Sequence, residues 1–369
     1  MPASAVDVIG PAFEHTRQQL LKPFRLGQWT RLALVGLLAG ELGSGGGCNF
    51  PTSGFNFPQH PNSPRHFLPD GFPNIDPAIL GGVIATLLIA GFVFVVVMMY
   101  VSSVMRFILF DSVVAKECHI RAGWGRRQGP GIKYFWFKIL YMLASLAVFV
   151  VLIGIPAGIA FFAGWFTNPK EHLAPLILGG LFLFLVVMVV GLVSIVIHVF
   201  TKDFVIPQMA LEGGSVFDGW RRLWPMMKAE KGDYFLYVVM KVVLAIGAGI
   251  VVGIVTVILS LFIAVPAILI GVIAAITGQS AGLEWNAYTI TVAIVAGSVV
   301  FAVFFYLISL ISVPVSVFFP AYSMYFFGAR YPTLGAVMYP APPAPAVAPS
   351  WPPPPPGKPP LPPAPSPAG

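Results

Sequence analysis

Long apolar runs alternate with short polar interruptions along the chain. Five runs, Ile79–Met105, Ile139–Asn168, Leu173–Phe200, Val242–Gln279 and Ala287–Phe327, contain no Asp, Glu, Lys or Arg. Each exceeds the roughly 20 residues that a helix needs to cross a bilayer. The last two approach forty residues, or about 60 Å of helix at ~1.5 Å per residue. Neither is interrupted by a polar turn, so each is expected to be one long or kinked span rather than a membrane hairpin. Pro266, Pro314 and Pro320 mark the expected kinks or ends. A sixth run, Leu32–Leu42, has only eleven residues. It reaches spanning length if it extends back to Phe24, with Arg25 and Arg31 snorkelling to the surface.

The polar interruptions divide the chain into three regions. Residues 1–31 form a basic, amphipathic entry segment in which Phe13, Leu20, Phe24 and Trp29 interleave with Arg17, Lys22, Arg25 and Arg31. Such a pattern suits a helix in the headgroup layer or a simple flanking charge cluster. Residues 32–330 form the membrane domain. It includes a Pro-, Gly- and Phe-rich outer loop (43–78) and two long loops at 106–138 and 202–241. Residues 331–369 form a tail. From Pro340 onward 16 of the last 30 residues are proline, which is too little apolar surface to fold. A disordered spacer, or a Pro-rich ligand for a partner protein, is expected there.

Composition agrees with this division. The chain is 57% hydrophobic and 9% charged, with a mean hydropathy of +0.86, whereas soluble domains average about 25% charged. The fold class expected is all-α: a polytopic membrane bundle of six spans arranged as three helical hairpins, with interfacial amphipathic helices. The net charge of +7 would suggest nucleic acid in a soluble chain. Here its placement explains it instead. Nineteen of the 21 Lys and Arg residues fall in the N-terminal segment, the loops 106–138 and 202–241, and the C-terminal segment. Only Arg65 and Lys170 lie in the alternate loops. By the positive-inside rule, both termini and both long loops face the cytoplasm of a bacterial inner membrane. Trp165 and Trp285 would then mark the outer boundary, and Trp29, Trp136 and Trp224 the inner one.

The two long loops overlay. Phe107 matches Phe204. Gly123, Trp124, Arg126 and Arg127 fall near Gly219, Trp220, Arg221 and Arg222, and Tyr134-Phe135 matches Tyr234-Phe235. LLKPFRLGQWTR near the N-terminus resembles the second half of this unit. FFPAYSMYFFGAR, from Phe318, resembles the first, with Pro320 matching Pro207. Glycine pairs Gly36/Gly40, Gly154/Gly158 and Gly249/Gly253 offer close helix approach in each hairpin. Within the second loop, Pro207 and then Gly213-Gly214 break the chain, and Ser215 or Asp218 can cap the helix that follows. Trp124, Arg126, Arg127, Trp220, Arg221 and Arg222 are the candidate contacts to lipid, with anionic headgroups the expected partner. Ordinary charge anchoring at the boundary is the plainer alternative.

PQMALEGGSVFDGWRRLWPMMKAEKGDYF resembles the recurring loop of multi-pass bacterial membrane proteins, among them those similar to the membrane domain of some glycerophosphoryl diester phosphodiesterases. Pro207, Glu212, Gly213, Trp220, Arg221 and Arg222 carry the resemblance, which extends in architecture over residues 10–330. It implies a membrane module whose loops join successive helices, without the phosphodiesterase activity.

No phosphate-binding Gly loop, nucleophile elbow or HExxH is present. The two cysteines, Cys48 and Cys118, fall on opposite sides of the expected bilayer and do not form a metal-ligand pattern. His60, His66, Asp70 and Asp76 match no standard metal spacing. Glu41 is expected to be solvated at the outer end of the first span, and His198 to snorkel. Ion-coupled transporters carry acids or bases at membrane depth, and the five long runs have no Asp, Glu, Lys or Arg, with His198 near the end of one. The expectation is therefore a non-enzymatic membrane protein with no cofactor or metal, in a structural, regulatory or lipid-interacting role. A transporter or lipid translocator is the alternative. The sequence sets no oligomeric state.

Overall fold

A computed structural model describes residues 3–41, 77–165, 170, 172–280, 282 and 287–339. The outer loop's histidines and acids, Cys48, Trp285 and the tail from Pro340 lie outside the described residues. The described chain is helical, with no strand. Its helices are α1 (Ile9–Leu21), α2 (Leu26–Leu38), α3 (Pro77–Ala115), α4 (Ile120–Phe149), α5 (Ile155–Phe162), α6 (Leu173–Phe200), α7 (Ile206–Glu212), α8 (Val216–Ala229), α9 (Lys231–Ser280), α10 (Ala287–Ile311), α11 (Val313–Gly328) and α12 (Pro332–Met338). Short π-helical segments, Val150–Gly154 and Thr201–Val205, join α4 to α5 and α6 to α7.

Among the described residues, five helical stretches are long and apolar enough to cross a membrane: Ile79–Ala115, Ile120–Phe162, Leu173–Glu212, Lys231–Gly278 and Tyr288–Gly328. Their most apolar stretches have mean hydropathies of 2.5–3.1 and are almost wholly unburied. Helices that are apolar all round belong in lipid. The core lies elsewhere, where the polar ends of these helices meet. It is built from the end of α3 (Val104–Val113), Tyr134 of α4, Phe200–Ala210, Val216 and Leu223 of α8, Tyr234 and Tyr237 of α9, and most of α11. Thus α3, α6 and α10 run into the core while α4 and α9 leave it. The described chain is a set of apolar helices standing on one compact helical base.

Leu32–Leu42 is not among the five. α2 has 13 residues, or about 20 Å of helix, and it ends at Gly40, whose φ of +78° suits glycine. Leu32, Ala33, Val35 and Gly36 are buried against α3 and α11. The run is apolar because it packs into the base, which is the usual meaning of an apolar segment of this length. The entry segment likewise does more than lie on a surface. α1 buries Ala12, His15, Thr16, Gln19 and Leu20, and Ala5 O accepts a hydrogen bond from the Tyr322 hydroxyl at 3.0 Å.

The proline breaks divide into two kinds. Pro314 sits in the first turn of α11, where the missing N–H costs little. Pro207 does not break the chain, because α7 continues the π-helical segment Thr201–Val205 and the stretch stays helical from Leu173 to Glu212. Pro266 and Pro320 lie inside α9 and α11, and both helices run through them. The tail does not start unstructured at residue 331. Pro332–Met338 is helical, Leu334 and Met338 are buried, and Gly335 approaches Gly328 so closely that an added Cβ would lie 2.6 Å from Gly328 O. Of the glycine pairs, a Cβ on Gly36 would lie 3.0 Å from the Ser316 side chain, whereas one on Gly158 or Gly253 would meet nothing within 4 Å.

The two long loops make matching contacts. A Cβ on Gly123 would meet the Ile108 side chain at 3.1 Å, and one on Gly219 would meet Val205 at 2.6 Å. Ile108 and Val205 each follow the matched Phe. Phe107 meets Tyr134 edge-on at 6.2 Å and 85°, and Phe204 meets Tyr234 edge-on at 5.5 Å and 85°.

Candidate functional site

α8 is the most amphipathic surface element. Gly213, with φ +71°, ends α7. Ser215 and Asp218 then form a reciprocal capping box that starts α8, and the Ser215 hydrogen bonds hold the Asp218 carboxyl below its usual range. Val216, Gly219 and Leu223 face the core. Trp220 joins them, its indole N–H donating to Thr201 Oγ1 at 3.0 Å. The opposite face exposes Phe217, Arg221, Trp224 and Lys228 at helical spacing, and Lys228 Nζ stands 5.4 Å over the Trp224 ring. Alternating aromatic and basic side chains on one stripe can seat at a headgroup layer.

The six residues singled out by sequence therefore separate. Arg126 and Arg221 are exposed. Arg127 turns inward. Its Nε and Nη2 donate to the two oxygens of Asp111 at 2.7 and 2.6 Å, and Nη1 donates to Ala210 O at 2.6 Å, tying the two long loops together. Arg222 pairs with Glu212. Trp124 packs edge-on against Tyr100 with centroids 6.1 Å apart. The structure does not bring the six into one patch. Trp224, Phe217 and Lys228 complete the outward stripe of α8, and a period-3.6 reading from Phe217 would have found them.

A second constellation, buried where the spans enter the base, has no local sequence signature. Glu41 is 2% exposed, so it is not solvated. One of its oxygens accepts from Arg106 Nη1 and the other from Lys202 Nζ at 2.5 Å. Arg106 also donates to Ala39 O. Burial alone would raise the Glu41 carboxyl, but the Lys202 and Arg106 charges outweigh it and hold the group at about 2. Next to Lys202, Asp203 accepts from the Tyr237 hydroxyl at 2.9 Å and from Lys241. A cavity of about 30 Å³ lies among Glu41, Arg106, Lys202, Asp203, Pro207 and Pro320. A third buried hub is Arg330, which pairs with Glu230 (2.6 Å) and Asp233 (2.9 Å) and donates to Ala3 O. Among the described residues, no group of His, Cys, Asp and Glu could hold a metal ion.

A family model described as "Family of unknown function (DUF7544)" matches residues 3–337. The matched span takes in every described helix except the last residue of α12. No curated protein and no solved structure matches the chain. These comparisons add no support for the phosphodiesterase membrane-domain resemblance of the 202–241 loop.

Proposed function

The chain belongs to a family whose function is unknown (DUF7544), and within that family we propose a non-enzymatic integral membrane protein whose helical base rests on the cytoplasmic face of the bacterial inner membrane and engages anionic lipid. The observation that carries this reading is the outward stripe of α8, Phe217, Arg221, Trp224 and Lys228, on a base from which five apolar helices rise. Aromatic rings favour the interfacial layer, and each basic residue near an anionic surface contributes about 1 kcal/mol. Arg126 lies exposed on the neighbouring loop and extends the basic surface.

The distribution of charge favours the same orientation. The basic residues of α4, α8, α9 and α11–α12 gather in the base, while Lys170 stands between α5 and α6 at the other end. Both described ends of the chain meet in the base, through Arg330 and Ala3, so an even number of crossings is expected, and six is the count proposed: the five described and one that α2, packed in the base, does not supply. The matching Gly123–Ile108 and Gly219–Val205 contacts, with the paired Phe–Tyr contacts, support an internal repeat. In that reading α1 docking on α11 makes the third unit from the two chain ends.

The test uses the full chain reconstituted with phosphatidylglycerol or with phosphatidylcholine, each containing a headgroup-labelled quencher lipid. The quenched emission lost on Trp224→Phe reports Trp224. It is expected to be larger in phosphatidylglycerol and to fall with salt or in an R126Q/R221Q/K228Q variant. Equal quenching in the two lipids refutes the proposal. A phosphatase reporter inserted beside Lys170 and a fluorescent protein at Gly369 test orientation. An inactive phosphatase with a dark C-terminal fusion would reverse it.

A further inference from the structure

Among the described residues, the cluster at the foot of the spans holds more basic than acidic side chains. Tyr141 OH donates to Ser194 O at 3.1 Å and binds α4 to α6. One turn nearer the base, Lys138 Nζ reaches Ser102 Oγ on α3 at 3.2 Å. One turn further along α3 is Arg106, whose field acts on Lys138. Arg106 leads through Glu41 to Lys202, and the neighbouring Asp203 leads to Lys241. Among the described residues, the buried Arg106 and the part-buried Lys138, Lys202 and Lys241 thus face two carboxylates, Glu41 and Asp203. Lys138 has no carboxylate within ion-pair reach among the described residues.

Two further observations show that the cluster is incomplete. Arg106 is 8% exposed, yet its Nε, a buried donor, has no hydrogen-bond partner among the described residues. Arg106 also lines the cavity of about 30 Å³, which has room for a water or a single phosphoryl oxygen. A buried guanidinium donor left without a partner is costly, and an anion would complete it. Immediately beyond the cluster the spans present almost unbroken apolar surface, so an anion that also bears acyl chains meets both environments. Basic pockets between spanning helices are a known kind of headgroup site.

We propose that the foot of the spans, at Lys138, Arg106 and the cavity beside Lys202, binds the phosphate headgroup of one anionic phospholipid, whose acyl chains lie along the exposed faces of α3, α4 and α6. This deepens the lipid-engaging reading given above but depends on none of the α8 stripe residues. The phosphate meets the Lys138 ammonium and offers an oxygen to Arg106 Nε, and no covalent step is involved.

The experiment takes the full chain from phosphatidylglycerol/phosphatidylcholine nanodiscs and counts retained lipids by native mass spectrometry through stepwise delipidation. Wild type is expected to hold one phosphatidylglycerol after phosphatidylcholine has been stripped. Lys138→Gln and Lys138→Met should weaken that retention about fivefold, the worth of one basic residue, and Lys138→Arg should keep it. Lys138 makes no ion pair to a carboxylate, so these changes leave the Glu41 and Asp203 pairs intact. Unchanged retention in both uncharged variants overturns the site. So does equal retention of the two lipids, or displacement of the lipid by excess inorganic phosphate, which would indicate a free-phosphate site. An R126Q/R221Q/K228Q variant separates the two readings. It should lose the Trp224 quenching difference and keep the bound phosphatidylglycerol, and the reverse outcome would remove the pocket while sparing the stripe.

Discussion

Glu41→Gln tests the structural role of the buried cluster. The wild-type carboxylate bridges Arg106 and Lys202 at 2% exposure. The neutral amide keeps the shape and leaves two buried cations without that counter-charge. Two independent routes give the magnitude. Removing one partner of a buried ion pair costs about 3–5 kcal/mol. Holding the carboxyl at about 2 instead of 4.5 is worth about 3 kcal/mol, at ~1.4 kcal/mol for each tenfold change in proton affinity. The folded value lies below the unfolded one, so this contribution is complete above pH 4.5 and is lost as the pH falls through about 2. Cys118, a buried free thiol whose pKa burial raises, supplies the assay. In a Cys48→Ser background, a thiol-reactive dye reports opening of the base on heating. At neutral pH Glu41→Gln should lower the midpoint on the order of 10 °C, taking ~2–4 °C per kcal/mol. Glu14→Gln, which removes a half-exposed pair with Arg17, is the control and should not move it. A Glu41→Gln midpoint equal to the control's would refute the idea that this cluster anchors α2 to the spans.

Other outcomes follow from the same contacts. Gly219→Ala puts a Cβ 2.6 Å from Val205 Cγ1 and should destabilise the base by ~1–3 kcal/mol; adding Val205→Ala should recover part of that loss in the same thiol melt. Arg127→Gln, which breaks the bidentate Asp111 pair, should lower the melting midpoint by several degrees, while Arg126→Gln leaves it unchanged. His15 is buried against Val113 O and Tyr325 OH, with Lys116 nearby, and burial holds its pKa below 6.5. The base should therefore lose stability as the pH falls below 6.5, and His15→Gln should flatten that dependence between pH 7.5 and 5.5.

The five spans were legible because their message is local: a run without charges longer than a bilayer is thick. The capping box at Ser215 and Asp218 was legible for the same reason. The Leu32–Leu42 run was misjudged because hydropathy cannot separate lipid-facing from core-facing apolar residues, and eleven residues suit either. Trp220 and Arg127 were expected to face outward from their composition alone, but orientation is set by helical phase against neighbours distant in sequence. Glu41 was the hardest to place. Its partners lie 65 and 161 residues away, and nothing in GELGS announces a buried carboxylate. Only the folding of α2 onto α3 and α6 makes it one.

The position of the charged groups bears on what the membrane helices can do. The apolar runs of the five described spans contain no Asp, Glu, Lys or Arg. Below that level, Glu41, Arg106, Lys202, Asp203, Lys241 and Tyr237 link α2, α3, α6 and α9 in one continuous network. Among the described residues, these polar contacts gather at the feet of the spans, whose apolar stretches are almost wholly unburied. On the proposal above, an anionic headgroup at Lys138 and Arg106 would add a further contact beside these pairs. The proposed site therefore places any response to lipid composition at the foot of the bundle.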